Sequence, residues 1–143
     1  MQISSRFTIA VHILVCIETF KNDYKVTSDF LASSVNVNPV VIRRLLQQLK
    51  KAGIINVKRG SGGTDIEKPL DEITLLDVYN AVECVEDGKL FHFHENPNQL
   101  CPVGKNIHLV LDERLEEIQK AMEMKMKSIS LQDIVRDTKK MIN

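Results

Sequence analysis

The sequence predicts a mainly α fold with a small β-wing: a winged helix-turn-helix followed by a long dimerisation helix. Three observations carry that expectation. Residues 30–64 contain no Asp or Glu yet hold Arg43, Arg44, Lys50, Lys51, Lys58 and Arg59. Inside this strip a short amphipathic helix pattern leads into an alternating strand and a glycine-rich turn. Further on, Ile107, Leu111, Leu115, Ile118, Met122 and Met126 repeat at helical spacing over about six turns. At 143 residues the chain holds one domain with an appendage. The natural division is 1–83 as the winged unit and 84–143 as an effector loop with dimerisation helices.

Taken in order, Phe7, Val11, Leu14 and Val15 mark a first helix over residues 3–20, with Ile3 and Ile17 extending the stripe. Thr27 or Ser28 caps a second helix to about residue 34, burying Phe30 and Leu31. Asn38 suits an N-cap and Pro39 a first helical position, where its missing N–H costs nothing. The third helix then runs to Ala52 and stops at Gly53, a residue free to turn left-handed. Two short helices joined by a tight polar turn are the signature of a helix-turn-helix. Ile54 to Lys58 alternates as a strand, Gly60 to Gly63 turns, and Thr64 to Ile66 returns. Thr74 and Asp77 form a capping-box pair, with Ile73 and Val78 as its staple, opening a fourth helix over about 75–84. Residues 85–100 lose periodicity. The long helix starts near Pro102, and Ser130 caps a last short helix carrying Leu131, Ile134, Val135, Met141 and Ile142.

Composition narrows the function. Nineteen Lys and Arg balance nineteen Asp and Glu, but residues 1–68 hold ten cations against five acids, and residues 69–143 nine against fourteen. A positive strip attracts a polyanion, and double-stranded DNA is the commonest such partner. No run approaches the ~18 apolar residues of a membrane span, and the opening residues lack a secretory signal pattern. Three cysteines at irregular spacing do not make a disulfide framework, so a cytoplasmic location is expected.

On the third helix Ile42, Leu45, Leu46 and Leu49 share an inward face. Val40, Arg44, Gln47 and Lys51 lie opposite, flanked by Arg43, Lys50 and Gln48. Arg forks onto guanine, Gln pairs with adenine, and Val40 suits a thymine methyl, while lysines near the helix end suit phosphates. The wing adds Lys58, Arg59, Gly60, Ser61 and Gly62, whose glycines permit close approach to a minor groove. With Asn38 these are the candidate DNA-contacting residues. Any solvated helix also carries a charged face, and a hairpin tip is often only a turn. Two basic elements at this separation favour DNA. A phosphate-binding loop is excluded, because the Gly-Lys-Ser/Thr spacing is missing.

The run Arg59-Gly60-Ser61-Gly62-Gly63, followed by Ile73-Thr74-Leu75-Leu76-Asp77-Val78 and Ala81-Val82-Glu83, resembles the Rrf-two family of bacterial winged-helix regulators. Ile3-Ser4-Ser5-Arg6-Phe7 and Cys101-Pro102-Val103 match its other landmarks, so the resemblance spans nearly the whole chain. It implies a homodimer on a palindromic operator, repressing or tuning transcription through a sequence-specific contact. One departure is plain: the family's usual Gly-Gly-Tyr reads Gly62-Gly63-Thr64. Iron–sulfur members carry three close cysteines before the long helix, whereas this chain has Cys101 alone there. No cofactor is expected.

Cys101 precedes Pro102 at the start of the long helix, where the helix dipole favours a thiolate. It is the candidate sensor for an oxidant or small-molecule effector, against the plainer reading of a space-filling thiol. Cys16 reads as core, and Cys84 as core or dimer contact. His92, His94, Glu95 and His108 gather near Cys101 without a standard zinc spacing, so no metal is expected. Nothing resembles a nucleophile–base pair or a nucleotide fingerprint, and no enzyme is expected. The rival reading is a winged-helix protein-interaction module whose basic face is incidental.

Overall fold

The computed structural model describes residues 3–58 and 63–142. Six helices and one two-stranded sheet follow in order: α1 (Arg6–Phe20), α2 (Ser28–Val35), α3 (Pro39–Lys51), β1 (Ile55–Val57), β2 (Thr64–Ile66), α4 (Leu75–Ala81), α5 (Pro102–Lys127) and α6 (Leu131–Ile142). Single 3₁₀ turns at Leu70–Glu72 and Glu86–Gly88 bracket α4. The mainly helical fold with a β-wing is the one the sequence predicts.

The α1 helix is the hub, contacting α2, α4, α6 and β2. Its fully buried face is Ala10, Ile13, Leu14 and Ile17, while the predicted Phe7, Val11 and Val15 are only half-buried. The reason is environment: a helix enclosed from several sides is apolar nearly all round, and periodicity alone cannot choose its deepest face. Its start is also later than expected. Ser4 leaves the helix, accepting from the Arg6 backbone N–H at 3.2 Å and donating its own N–H to the Cys84 carbonyl at 3.1 Å.

The helix-turn-helix is built by caps. Thr27 accepts from the Phe30 N–H at 3.1 Å to start α2. Asn36 ends it in the left-handed region, at φ 63°, a conformation asparagine tolerates. The Asn38 carboxamide oxygen then accepts from the Val40 N–H at 2.8 Å, and Pro39 opens α3. At the far end Gly53 sits at φ +78°. The Ile54 N–H bonds the Leu49 carbonyl and the Gly53 N–H that of Lys50, the paired bonds of a Schellman close. That stop turns the chain into β1 without a loop.

Strand register pairs Ile55 with Ile66, Asn56 with Asp65 and Val57 with Thr64. Gly63, at φ +74°, lies against Val26, where an added Cβ would come within 3.2 Å of the carbonyl oxygen. The Thr64 N–H bonds that same carbonyl. Thr64 is itself buried, so the position that departs from the family pattern is packed beneath the wing.

Thr74 and Asp77 form the expected capping box on α4. The helix ends at Ala81 rather than near residue 84, because Glu83 turns to φ 48° and its carbonyl receives the Arg6 guanidinium at 2.8 Å. A second box opens α6, where the Ser130 hydroxyl accepts from the Asp133 N–H and the Asp133 carboxylate from the Ser130 N–H. Thr74 and Ser130 are β-bridged to each other, with Leu75 N–H bonded to Ile129 and Leu131 N–H to Ile73. Leu131 and Val135 enter the core as read, whereas Met141 and Ile142 are exposed.

Hydrogen bonds from the backbone and then the side chain of Ser130 hold the Asp133 carboxyl below its ordinary value. A depressed folded pKa stabilises above the unfolded pKa and is lost as pH falls through the folded one. Asp133→Asn should therefore remove one component of acid destabilisation below the usual carboxylate range, seen as a flatter acid limb in thermal melts across pH.

Candidate nucleic-acid interface

The α3 helix sets the geometry of the site. Ile42, Leu45, Leu46 and Leu49 are buried, and each contributes about 1.5–3 kcal/mol on leaving water. That inner face fixes the rotation of the helix, so the opposite face has no choice but solvent. Val40 (55% exposed), Arg43, Arg44, Gln47, Lys50 and Lys51 all project outward. None of the four cations makes an ion pair among the described residues. Gln48 differs from its neighbours: it is half-buried, and its Oε1 is enclosed without a partner. Asn38 spends its side-chain oxygen on the cap, leaving its amide for outside contacts.

Between α3 and the wing runs a groove lined by Thr27 and Ser28 at the α2 N-terminus, Arg43, Gln47 and Lys50 from α3, and Lys58 and Gly63 from the wing. The structure thus brings Arg43, Gln47, Lys50 and Lys58 to one groove, while Val40, Arg44 and Lys51 are exposed outside its lining. Arg59, Gly60, Ser61 and Gly62 lie outside the described residues. Lys58 qualifies the sequence reading of an uncompensated strip, because its ammonium pairs with Asp65 across the hairpin at 2.9 Å. Both side chains are about half exposed, so a phosphate can compete for the lysine in solvent.

The three thiols occupy separate places. Cys16 is buried in α1 with its sulfur 3.2 Å from the Ser34 hydroxyl, itself 3.0 Å from His12 Nε2. Cys84 is buried near the N-terminal end of α1, and burial pushes its thiol pKa up. Cys101 stands at the N-cap of α5 without a side-chain cap bond. The open N–H groups of Gly104 and then Val103 nevertheless face its sulfur and hold the thiol below its ordinary value. Cys16 lies ten residues along α1 from Arg6, about 15 Å of helical rise, and Cys84 bonds Ser4 beyond that end of the helix. Three thiolates therefore cannot converge, and an iron–sulfur cluster of that kind does not fit these residues.

The histidines form a polar patch. His108 bonds Asp112 at 3.1 Å through Nδ1 and the His94 carbonyl at 3.0 Å through Nε2, which engages both ring nitrogens. On α5 the predicted stripe divides. Ile107, Leu115, Met122 and Met126 are half-buried, while Leu111 and Ile118 are exposed with Val103, Leu109 and Val110. No residue of α5 is fully buried. No helix among the described residues is long and apolar enough to cross a membrane.

A capped helix-turn-helix with a cation-bearing second helix and a paired wing defines a winged helix-turn-helix protein. The chain belongs to the Rrf2 family, described as iron-dependent transcriptional regulators, which it matches over residues 3–137. It is similar to YwnA of Bacillus subtilis (strain 168), a proposed HTH-type transcriptional regulator, at 47% identity over 93% of this chain and 96% of the relative. A crystal structure of a proposed DNA-binding protein aligns at 42% identity and TM-score 0.72, covering 91% of this chain and 98% of that one. The fold is also that of IscR from T. potens, at 19% identity and TM-score 0.70, covering 96% and 88%. The descriptions of the family and of YwnA are those of transcriptional regulators, not of enzymes.

The thiol environments make a reactivity order. Iodoacetamide labelling of the native protein near neutral pH should modify Cys101 first, with Cys16 and Cys84 following only on unfolding, as peptide mass spectrometry would reveal.

Proposed function

We propose that the chain is a homodimeric, sequence-specific DNA-binding regulator that recognises a palindromic operator and represses transcription by occupying it. The observation that carries this reading is the row of cations on the outer face of α3, unpaired among the described residues and held outward by a buried opposite face. In this reading α3 enters the major groove. Arg43, Arg44, Gln47 and Val40 meet base edges there, and Lys50 and Lys51 meet phosphates. Asn38 and Gln48 flank that contact. The wing, with Lys58 and the undescribed Arg59, Gly60, Ser61 and Gly62, follows the neighbouring backbone or minor groove.

Support for two copies comes from α5. Its 26 residues extend about 39 Å, and Val103, Val110, Leu111 and Ile118 leave an apolar face open along it. A self-complementary face of this kind closes by two-fold symmetry, matching a palindrome with half-sites about one DNA turn apart. Cys101 is the proposed point of control by an oxidant, and the cytoplasm the proposed location.

Selection of bound fragments from genomic DNA should return a palindromic site. On that site Arg44→Ala should cost about 1–3 kcal/mol and relax base preference, while Lys51→Ala should weaken all sequences alike and reduce the salt slope by about 1. Absence of salt-dependent retention on heparin would favour the protein-interaction module instead. Val110→Asp should convert the dimer to monomer in equilibrium ultracentrifugation; a wild-type chain that is monomeric at micromolar concentration removes the two-fold arrangement. Peroxide should alter operator binding by the wild type but not by Cys101→Ser.

A further inference from the structure

A groove of about 440 Å3 runs along α1, between the C-terminal end of α2 and one face of α6. Its volume falls in the range of ~300–1,000 Å3 usual for small-molecule sites. It shares no lining residue with the groove beside the wing, and α5 contributes nothing to it. It is therefore separate from both the row of cations on α3 and the open apolar stripe of α5.

The two banks of the groove follow from helical spacing. Viewed down α1, Val11 and Val15 lie to one side and His12 and Cys16 to the other. Ser34, near the end of α2, meets the second side: its Oγ lies 3.0 Å from His12 Nε2 and 3.2 Å from Cys16 Sγ. On α6, Ile134, Thr138 and Ile142 recur every fourth residue and add a further apolar wall. Val11, Val15 and Ile134 are only half-buried, and Ile142 is exposed, so this apolar surface is open to a visitor.

Charge selects the ligand by its absence. Asp, Glu, Lys and Arg make up 27% of the chain, yet none of them lines the groove among the described residues. An ion placed there loses hydration with no opposite charge to replace it. We propose that this groove binds a small neutral molecule, its apolar body against Val11, Val15, Ile134 and Ile142 and one hydroxyl or carbonyl end joining Ser34 and His12. Ser34 is the last residue but one of α2, two before the left-handed Asn36 that opens the turn into α3. A ligand that competes for its hydroxyl loosens α2 from α1 at the helix-turn-helix. As the effector site of a regulator the groove rests on the reading above; as a binding site it does not.

N-phenyl-1-naphthylamine, a neutral apolar fluorophore, reports occupancy in the full-length protein at about pH 8, where an ordinary imidazole is uncharged. Displacement by 1-octanol, octanoate and octylamine compares one tail with three head charges. The alcohol should act at roughly tenfold lower concentration than either ion, at one molecule per chain. Partitioning onto any apolar surface also favours the alcohol, so the variants decide. Thr138→Lys sets a cation in the wall and should improve octanoate about threefold, the scale of an exposed ion pair, while weakening octylamine. Val11→Gln should weaken the alcohol with circular dichroism unchanged, and Ile142→Gln, at an exposed position, should do the same without touching the core. Tighter binding of either ion by the wild type, or affinities indifferent to all three variants, would each overturn the assignment. Octanol should also shift operator binding by the wild type and not by Ser34→Ala; occupancy without such a shift removes the coupling to α2. Heparin retention and fragment selection read the α3 face without the groove, so failure of one reading is separable from failure of the other.

Discussion

Everything in the N-terminal half depends on one segregation of side chains within thirteen residues. The α3 helix must drive four aliphatic side chains into the core while carrying four cations that the core cannot accept. Burying a lone ammonium or guanidinium is far costlier than exposing it, so only one rotation of the helix about its axis is available. The caps at Asn38 and Gly53 then fix where that rotated face begins and ends. The wing leaves from the Gly53 close, and the Thr64 N–H ties its return strand to the Val26 carbonyl just before α2. A face composed of three separate elements is thereby held as one surface by local hydrogen bonds.

Much of this was legible in the sequence, and the reasons differ by element. The α3 helix was readable because its two faces differ in chemistry as well as in hydropathy. Both ends carried residues whose backbone demands are specific, Pro39 and Gly53. The first helix was readable as a helix but not in its orientation, since an apolar residue occupies nearly every position facing several neighbours. The early end of α4 was hidden because a glutamate, not a glycine or asparagine, takes the left-handed turn at Glu83. Lys58 reads as uncompensated in the sequence because its partner Asp65 sits one residue past the acid-free strip and meets it only after the chain reverses.

The C-terminal half was less legible. Residues 85–100 follow no period, so nothing in their order announces that Gln119, a residue of an apparently plain helical face, gathers Gly88 and Leu90 around it. The heptad-like stripe on α5 read as one surface, whereas the structure splits it between a packed edge and an open one. Spacing gives a helix its stripes; only the fold decides how many neighbours share them.

The pair of capping boxes at Thr74 and Ser130 has a mechanical side. Because the two caps are β-bridged, the elbow joining α5 to α6 and the start of α4 form a single rigid knot. A displacement of the long rod at that knot would be shared by α4 and α6, both of which pack against the α1 hub. The rod and the α1-centred core are thus joined through a single stitched junction.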